Sequence, residues 1–321
     1  MKRLKLFRVV SFLIILALVS SFLVSCESDK TKDDKDKDPK EESGVLFWEV
    51  TSQDGKKLYL LGSIHVADDS IYPFSDVVMD AFEECSALAV EADIEALEKD
   101  TQLQLEMIQE LMYDDGSTIE DHIDEELFTK AKEFLEENDL YIDYYLLFKP
   151  VFWADVVSSV ATEESGLSHD KGVDMFFIKE AKKAKKEVLE IESVMDQAKM
   201  LGGFSDSLQA IYLLDALNNV ETAKADVKAL YELWKEADVK KFEEYVTRDV
   251  EMEGVPEELI EAYSEFEKAM LTDRNEHMVN KAIEYIKSGK TVFYVVGAAH
   301  MVGESGLVNQ LESKGYEVTK R

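Results

Sequence analysis

The sequence predicts an α/β protein in which a mixed sheet is built from both ends of the chain around a long helical insertion. Two continuous apolar runs of strand length, residues 58–61 and 292–296, lie near opposite ends of the folded part. Shorter apolar runs at residues 87–91 and 188–192 each end in a carboxylate and are separated by helical patterns. Alternation of such strands with helices is typical of sheets that are at least partly parallel.

The individual elements follow this plan in order. Residues 47–50 and 58–61 flank Asp54-Gly55, which is a strong hairpin signal. A helix over residues 75–85 then leads to the strand at 87–91, and this βαβ-like unit predicts parallel pairing. The remaining predicted elements are helices at 94–112, 124–137, 144–161 and 170–186, a strand at 188–192, a helix-rich stretch at 196–270, a helix at 275–288, a strand at 291–296, a helix at 304–314 and a short strand at 316–318.

The N-terminal residues have the layout of a secretory signal. A basic start precedes an apolar run at residues 9–24, which is short for a membrane span, and Leu23-Val24-Ser25-Cys26 resembles the bacterial lipobox. The pattern predicts a signal peptide over residues 1–25 and a lipid on Cys26. The mature chain would then sit at the cell membrane, lipid-anchored on the extracytoplasmic side. The alternative is an uncleaved membrane anchor followed by an incidental cysteine.

The rest of the chain divides into a tether and a folded part. Residues 26–44 are mostly charged or small polar residues, which cannot bury enough apolar surface to offset the entropy of ordering. We expect them to form a disordered charged tether. Residues 45–321 are long enough for a single domain, with the helical insertion at about residues 95–270.

Composition excludes one class of partner. The chain carries 68 acidic and 36 basic residues, a net charge of −32. Such a surface repels polyanions, so we expect no nucleic-acid binding. If Cys26 carries a lipid, Cys85 is the remaining thiol and no intramolecular disulfide can form.

A short pattern, G-x-x-H, follows the two long apolar runs. It places His65 three residues after Gly62 and His300 three residues after Gly297. Glycine allows a tight turn off a buried strand, and histidine can be a neutral metal ligand or a general base near pH 7. A third copy ends at His169 but has no strand before it. The strand-end pair predicts a site, whereas a single histidine of this kind is often only a polar cap.

The carboxylates at the other strand ends complete a possible metal site. His65, His300 and Glu91 could hold a divalent ion with positions open for water and substrate. Glu192 could be a second carboxylate ligand or a general base. Without a metal, a carboxylate could instead orient one histidine as the base. The residues alone do not choose between these two mechanisms.

Arg274 and Asn275 are further candidates. The guanidinium of Arg274 could stabilise an oxyanion or bind a carboxylate in bidentate fashion. The alternative is that Asn275 caps the following helix and Arg274 pairs with a surface acid.

Taken together, the motifs resemble those of the TraB/GumN family, also called TraB/PrgY, which is related to the Tiki-like metalloproteases. The resemblance spans roughly residues 45–319. It is carried by Leu61-Gly62-Ser63-Ile64-His65, Val90-Glu91-Ala92-Asp93, Gly172-Val173-Asp174, Leu189-Glu190-Ile191-Glu192 with Gln197, Arg274-Asn275, Val296-Gly297-Ala298-Ala299-His300 and the tail from Gly303 to Tyr316. One departure is Ser193, where threonine is expected.

The resemblance implies site residues and a reaction class. It implies His65, Glu91 and His300 as ligands of a divalent ion (manganese, cobalt or zinc), and Glu192, Arg274 and Asn275 as catalytic residues. Tiki-like members act as metal-dependent peptidases, which implies a lipid-anchored hydrolase acting on a peptide or a small amide or ester. Other members are described as blocking peptide-pheromone signalling, so a non-catalytic peptide-binding or sequestering lipoprotein is the alternative. Whether the chain is an enzyme stays open at this point.

Overall fold

The computed structural model describes residues 3–5, 44–251 and 257–321, and its centre is a six-stranded sheet. The strands are β1 (Arg3–Lys5), β2 (Leu46–Thr51), β3 (Lys57–Ser63), β4 (Ala87–Val90), β5 (Glu187–Glu190), β6 (Asp249–Glu251), β7 (Val292–Gly297) and β8 (Glu317–Lys320). The short strands β1 and β6 pair with each other, antiparallel and apart from the central sheet.

The central sheet is mixed, as predicted. Its strand order is β5-β4-β7-β3-β2-β8. The neighbouring pairs among β5, β4, β7 and β3 are parallel, while β2 runs antiparallel to β3 and to β8. The pairing of β3 with β7 joins the two ends of the chain. Both strands are buried along nearly their whole length, which explains why they appear in the sequence as unbroken apolar runs.

The register of β3 and β7 brings the two G-x-x-H turns side by side. Gly62 lies opposite Val296, and Ser63 lies opposite Gly297. A Cβ atom on Gly62 would lie 3.0 Å from the Cα atom of Ala298, which is tighter than most side-chain contacts. Gly62 therefore favours the close approach of the two turns.

Most of the chain between β4 and β7 is helical. The helices are α1 (Asp76–Glu84), α2 (Ile94–Lys99), α3 (Thr101–Glu110), α4 (Glu125–Glu137), α5 (Pro150–Ser165), α6 (Val173–Lys183), α7 (Val194–Gly202), α8 (Asp206–Glu236), α9 (Val239–Val246), α10 (Glu257–Glu267), α11 (Asp273–Ser288), α12 (Ala298–Met301) and α13 (Leu307–Ser313), with a π-helical turn at Lys268–Thr272. The long helical insertion is thus present, and β5 lies within it.

Two predicted helices differ from the structure for local reasons. The helix expected over residues 94–112 is broken at Asp100, whose carboxylate accepts hydrogen bonds from the backbone N–H groups of Gln102 and Leu103. This is N-cap geometry, so a second helix begins there. The helix expected from residue 144 begins at Pro150, because proline fits the first helical position and a 3₁₀ turn at Asp143–Leu147 precedes it.

The buried side chains form two hydrophobic clusters. One surrounds the sheet and includes Phe177, Trp234 and Phe293; the other lies within the helical insertion around Trp153. Helix α5, buried on nearly all sides, packs along α8. Within the described ranges, no helix is both long and apolar enough to cross a membrane.

The predictions for the N-terminal region concern a part of the chain that the structure mostly leaves out. The signal peptide over residues 1–25, the lipid on Cys26 and the tether over residues 26–44 lie outside the described residues, apart from residues 3–5 and 44.

Candidate functional site

The predicted site residues meet at one edge of the sheet. His65 follows β3, Glu91 directly follows β4, Glu192 follows β5, and His300 lies in α12 immediately after β7. These four strands are parallel, so their carboxyl ends share one edge, which is where open α/β sheets bind ligands. Helix α11 contributes Arg274 and Asn275 to the same edge.

His65 is held by a carboxylate. Its Nδ1 atom lies 2.7 Å from Oδ2 of Asp174, and the hydroxyl of Ser63 donates to Oδ1 of the same residue at 2.7 Å. Burial lowers the pKa of His65, but the Asp174 carboxylate outweighs this effect and raises the pKa to about 9. The Nε2 atom of His65 remains on the side of Gly297, where a Cβ atom would lie 3.6 Å away.

His300 is fully buried and held by an amide. Its Nδ1 atom lies 2.6 Å from Oδ1 of Asn275, whose own amide N–H donates to the carbonyl of Ser305 at 3.0 Å. This arrangement makes Nδ1 the protonated nitrogen and leaves a lone pair on Nε2. Among the described atoms, Nε2 has no hydrogen-bond partner. Burial, followed by the charge of Arg274, lowers the pKa of His300 to about 3, so the ring is neutral.

Glu91 lies between the histidines and Arg274. Its Oε1 atom accepts a hydrogen bond of 2.6 Å from the backbone N–H of Gly297, and its Oε2 atom accepts one of 2.6 Å from Arg274. Burial raises the pKa of Glu91, but Arg274 and then His300 and His65 more than offset this and lower it to about 2. The carboxylate is therefore ionised, with Oε1 3.9 Å from Nε2 of His300.

Arg274 joins the two glutamates. Its Nε atom donates to both oxygens of Glu192 at 3.0 Å, and its Nη2 atom donates to Glu192 at 2.8 Å as well as to Glu91. Gln197 also donates to Glu192, at 3.2 Å. The alternative of a surface ion pair is wrong, because Arg274 is only 5 % exposed. The alternative of a capping role for Asn275 is also wrong, because its side chain binds His300 from within α11.

Asp174 also lies at the site, although its sequence motif alone predicted no role for it. It lies in the first turn of α6, where the backbone N–H of Val173 donates to the carbonyl of Ile64 at 3.0 Å. A Cβ atom on Gly172 would collide with the His65 carbonyl, so glycine allows this close contact. The signal in the sequence was the Gly172-Val173-Asp174 motif, although the sequence does not indicate which histidine it approaches.

The third G-x-x-H copy lies close to the first without sharing its geometry. His169 belongs to a 3₁₀ turn rather than to a strand end. Burial and then the nearby charge of His65 lower its pKa to about 4. The structure therefore confirms that His169 differs from His65 and His300, which both follow strands.

Two cavities flank the cluster. A small apolar pocket with a volume of about 30 Å³ is lined by His65, His300 and side chains of α8 and α9. A wider polar cleft of about 350 Å³ is lined by Glu192, Asp196, Gln197, Met200, Arg274 and His277. The cluster can thus be approached from an apolar side and from a polar side.

The donor set fits a divalent ion in its chemistry. Two imidazole Nε2 atoms and one carboxylate are common ligands, and each histidine has its Nδ1 atom fixed by a second residue, as metal-bound histidines usually do. Ligands at bond lengths of about 2.0–2.2 Å lie no more than about 4.3 Å apart, and Nε2 of His300 and Oε1 of Glu91 satisfy this limit. In the parts of the chain that the structure describes, no three His, Cys, Asp or Glu side chains stand ready as a complete metal-binding group.

Fold and site together define an α/β protein with a histidine pair and a carboxylate at the carboxyl edge of a mixed sheet. A sequence model of the TraB/PrgY/gumN family matches residues 46–320. The chain therefore belongs to the TraB/PrgY/gumN family, and the match covers the whole central sheet and every residue of the cluster. A search of curated proteins and a search of solved structures each found no match.

Proposed function

We propose that the protein is a metal-dependent hydrolase of peptide or amide bonds, anchored by a lipid on Cys26 to the extracytoplasmic side of the cell membrane. The observation that supports this most directly is the pair of Nε2 atoms. The Nε2 atom of His65 lies beside Gly297, the Nε2 atom of His300 lies 3.9 Å from Oε1 of Glu91, and both histidines are fixed through Nδ1. Two imidazole rings fixed in this way beside a buried carboxylate match the donor set of a metal site.

His65, Glu91 and His300 are the residues that would hold the ion, which we expect to be manganese, cobalt or zinc. When bound, it would lower the pKa of a water molecule and polarise a substrate carbonyl. His65 must lose its Nε2 proton to act as a ligand, and His300 already has Nε2 free because Asn275 binds the proton on Nδ1.

The remaining residues position these three. Asp174 orients the ring of His65, and Asn275 orients that of His300. Arg274 fixes Glu91 and is itself fixed by Glu192, so both act as positioning residues in this proposal. Each of these contacts reduces the reorganisation needed when a substrate binds.

The substrate we propose is a peptide or a small amide or ester outside the cytoplasm. The net charge of −32 disfavours nucleic acids and other polyanions. The relation to Tiki-like metalloproteases, which was inferred from the motifs, points in the same direction.

A second candidate function is sequestration of a peptide without cleavage. It is favoured by one observation: both oxygens of Glu91 already accept hydrogen bonds, from Gly297 and Arg274, and those of Glu192 accept from Arg274. Both carboxylates are thus paired with the Arg274 cation, and a carboxylate held in this way is a weak general base. Such a protein would bind a peptide in the same cavities and release it intact.

The two candidates are separated by a cleavage assay. The purified chain, loaded with manganese, cobalt or zinc in turn, is incubated with a mixed peptide library, and the products are read by mass spectrometry. We expect cleavage that a chelator stops and that His300→Ala abolishes. His122→Ala is the matched control, because His122 pairs with Asp206 in the helical insertion, away from the cluster. This variant should cleave peptides at the wild-type rate. Peptides recovered intact with every metal would contradict the hydrolase and favour sequestration.

A further inference from the structure

The apolar pocket beside the cluster has a wall made by the helical insertion. Leu230 and Trp234 come from α8, and Phe242 and Val246 come from α9. All four side chains are at most 4 % exposed. The helical insertion thus forms one side of a cavity whose other side is the pair of strand-end turns.

This wall is fixed to the site by a specific contact. The indole N–H of Trp234 donates to the carbonyl of Gly62 at 2.8 Å, within the first G-x-x-H turn. The hydrogen-bonding capacity of the indole is therefore used, and the ring offers the pocket apolar surface only. The polar residues that line the pocket, Ser63, His65 and His300, lie on the other side, at the ends of β3 and β7.

The lining decides which groups can enter. A charged or strongly polar side chain would lose its hydration among these four residues without gaining partners, which costs free energy. Water is also poorly satisfied in an apolar cavity. The volume of about 30 Å³ holds about two water-sized spheres, so we expect a side chain of one to three carbons to enter it more easily than an aromatic ring.

We propose that this pocket binds a short aliphatic side chain, such as that of alanine or valine, next to the peptide bond held at His65 and His300. Leu230, Trp234, Phe242 and Val246 are then specificity-determining residues. The inference rests on the proposed peptide substrate but concerns recognition and not cleavage.

The test measures binding separately from cleavage. Acetylated and amidated Gly-X-Gly tripeptides, with X as glycine, alanine, valine, phenylalanine or aspartate, are titrated into the metal-loaded full chain and followed by saturation-transfer NMR. We expect the alanine and valine peptides to bind about 10-fold more tightly than the glycine peptide, the gain usual for a filled apolar subsite. Phenylalanine and aspartate should give no gain.

Two valine variants supply the control. Val246→Ala enlarges the pocket and should move the preference toward phenylalanine, while Val227→Ala should leave it unchanged. Val227 lies on α8, is 2 % exposed like Val246, and does not line the pocket.

The same preference in all three proteins, tight binding of the aspartate peptide, or no binding in the series would overturn the inference. Side-chain preference without cleavage would contradict only the proposed hydrolase, and cleavage without preference would contradict only the pocket assignment.

Discussion

His65 and His300 face the site with the same ring nitrogen, and in each case a neighbouring side chain determines this. Asp174 binds Nδ1 of His65, and Asn275 binds Nδ1 of His300. Asp174 is charged and raises the pKa of its histidine, whereas Asn275 is neutral and does not offset the effects of burial and Arg274 on His300. The pKa of His65 rises to about 9 beside the carboxylate, whereas that of buried His300 falls to about 3. One residue type therefore provides a cationic ring and a neutral ring within one cluster.

This difference predicts an alkaline loss of stability in the metal-free protein. The pKa of His65 lies above its ordinary value of 6.5, so its contribution is fully present below pH 6.5 and is lost as the pH rises through 9. The rise to about 9 corresponds to at most about 3 kcal/mol in the free energy of unfolding. Urea unfolding with a chelator, from pH 6.5 to 9.5, measures it.

Two histidine variants isolate this contribution. His65→Asn should remove most of the alkaline decline, whereas His122→Asn should retain it, because the ring of His122 lies with Asp206 away from the cluster. An equal decline in the wild type and in His65→Asn would show that other groups cause it.

The histidines and glutamates of the site could be predicted from the sequence because each follows an apolar strand. Their partners could not be predicted so directly. Asp174 lies more than 100 residues from His65 along the chain, and nothing in the sequence assigns it to that ring. For Asn275 the sequence left capping open as an alternative, and only the fold shows the amide next to His300.

At the scale of elements, helix α11 connects the two halves of the site. It places Arg274 against Glu91 and Glu192, which follow neighbouring strands β4 and β5, and Asn275 against the turn after β7. The helix was predicted over nearly its full length, from residue 275 instead of Asp273, because its apolar residues recur at helical spacing. Its orientation over the strand ends depends on tertiary packing and was not predictable.

This arrangement predicts a large cost for Arg274→Met. The substitution would leave two carboxylates buried without their cation, and breaking a buried ion pair in this way typically costs about 3–5 kcal/mol. Arg248→Met is the matched control, because Arg248 is 35 % exposed and pairs with Asp226 at 3.5 Å. It should cost less than about 1 kcal/mol. Equal losses in the two variants, measured by urea unfolding, would contradict a structural role for the Arg274 ion pairs.

At the scale of the whole molecule, the sheet brings together residues that are far apart in the sequence. The mixed sheet, its construction from both chain ends and the helical insertion were predicted from apolar runs and their order. The strand order β5-β4-β7-β3-β2-β8 was not, because similar buried runs can pair in several ways. The wall that α8 and α9 place beside the site also depends on contacts between distant residues, which a linear pattern does not contain.

The most direct test of the proposed centre is the metal content of the purified protein. The wild type, His65→Ala, His300→Ala and the control His122→Ala are purified without oxygen, analysed for elements, and titrated with manganese, cobalt and zinc. We expect about one ion per chain in the wild type and the control, and loss of that ion in both site variants. Unchanged metal content in the two site variants, or no ion in the wild type under any condition, would contradict the metal centre.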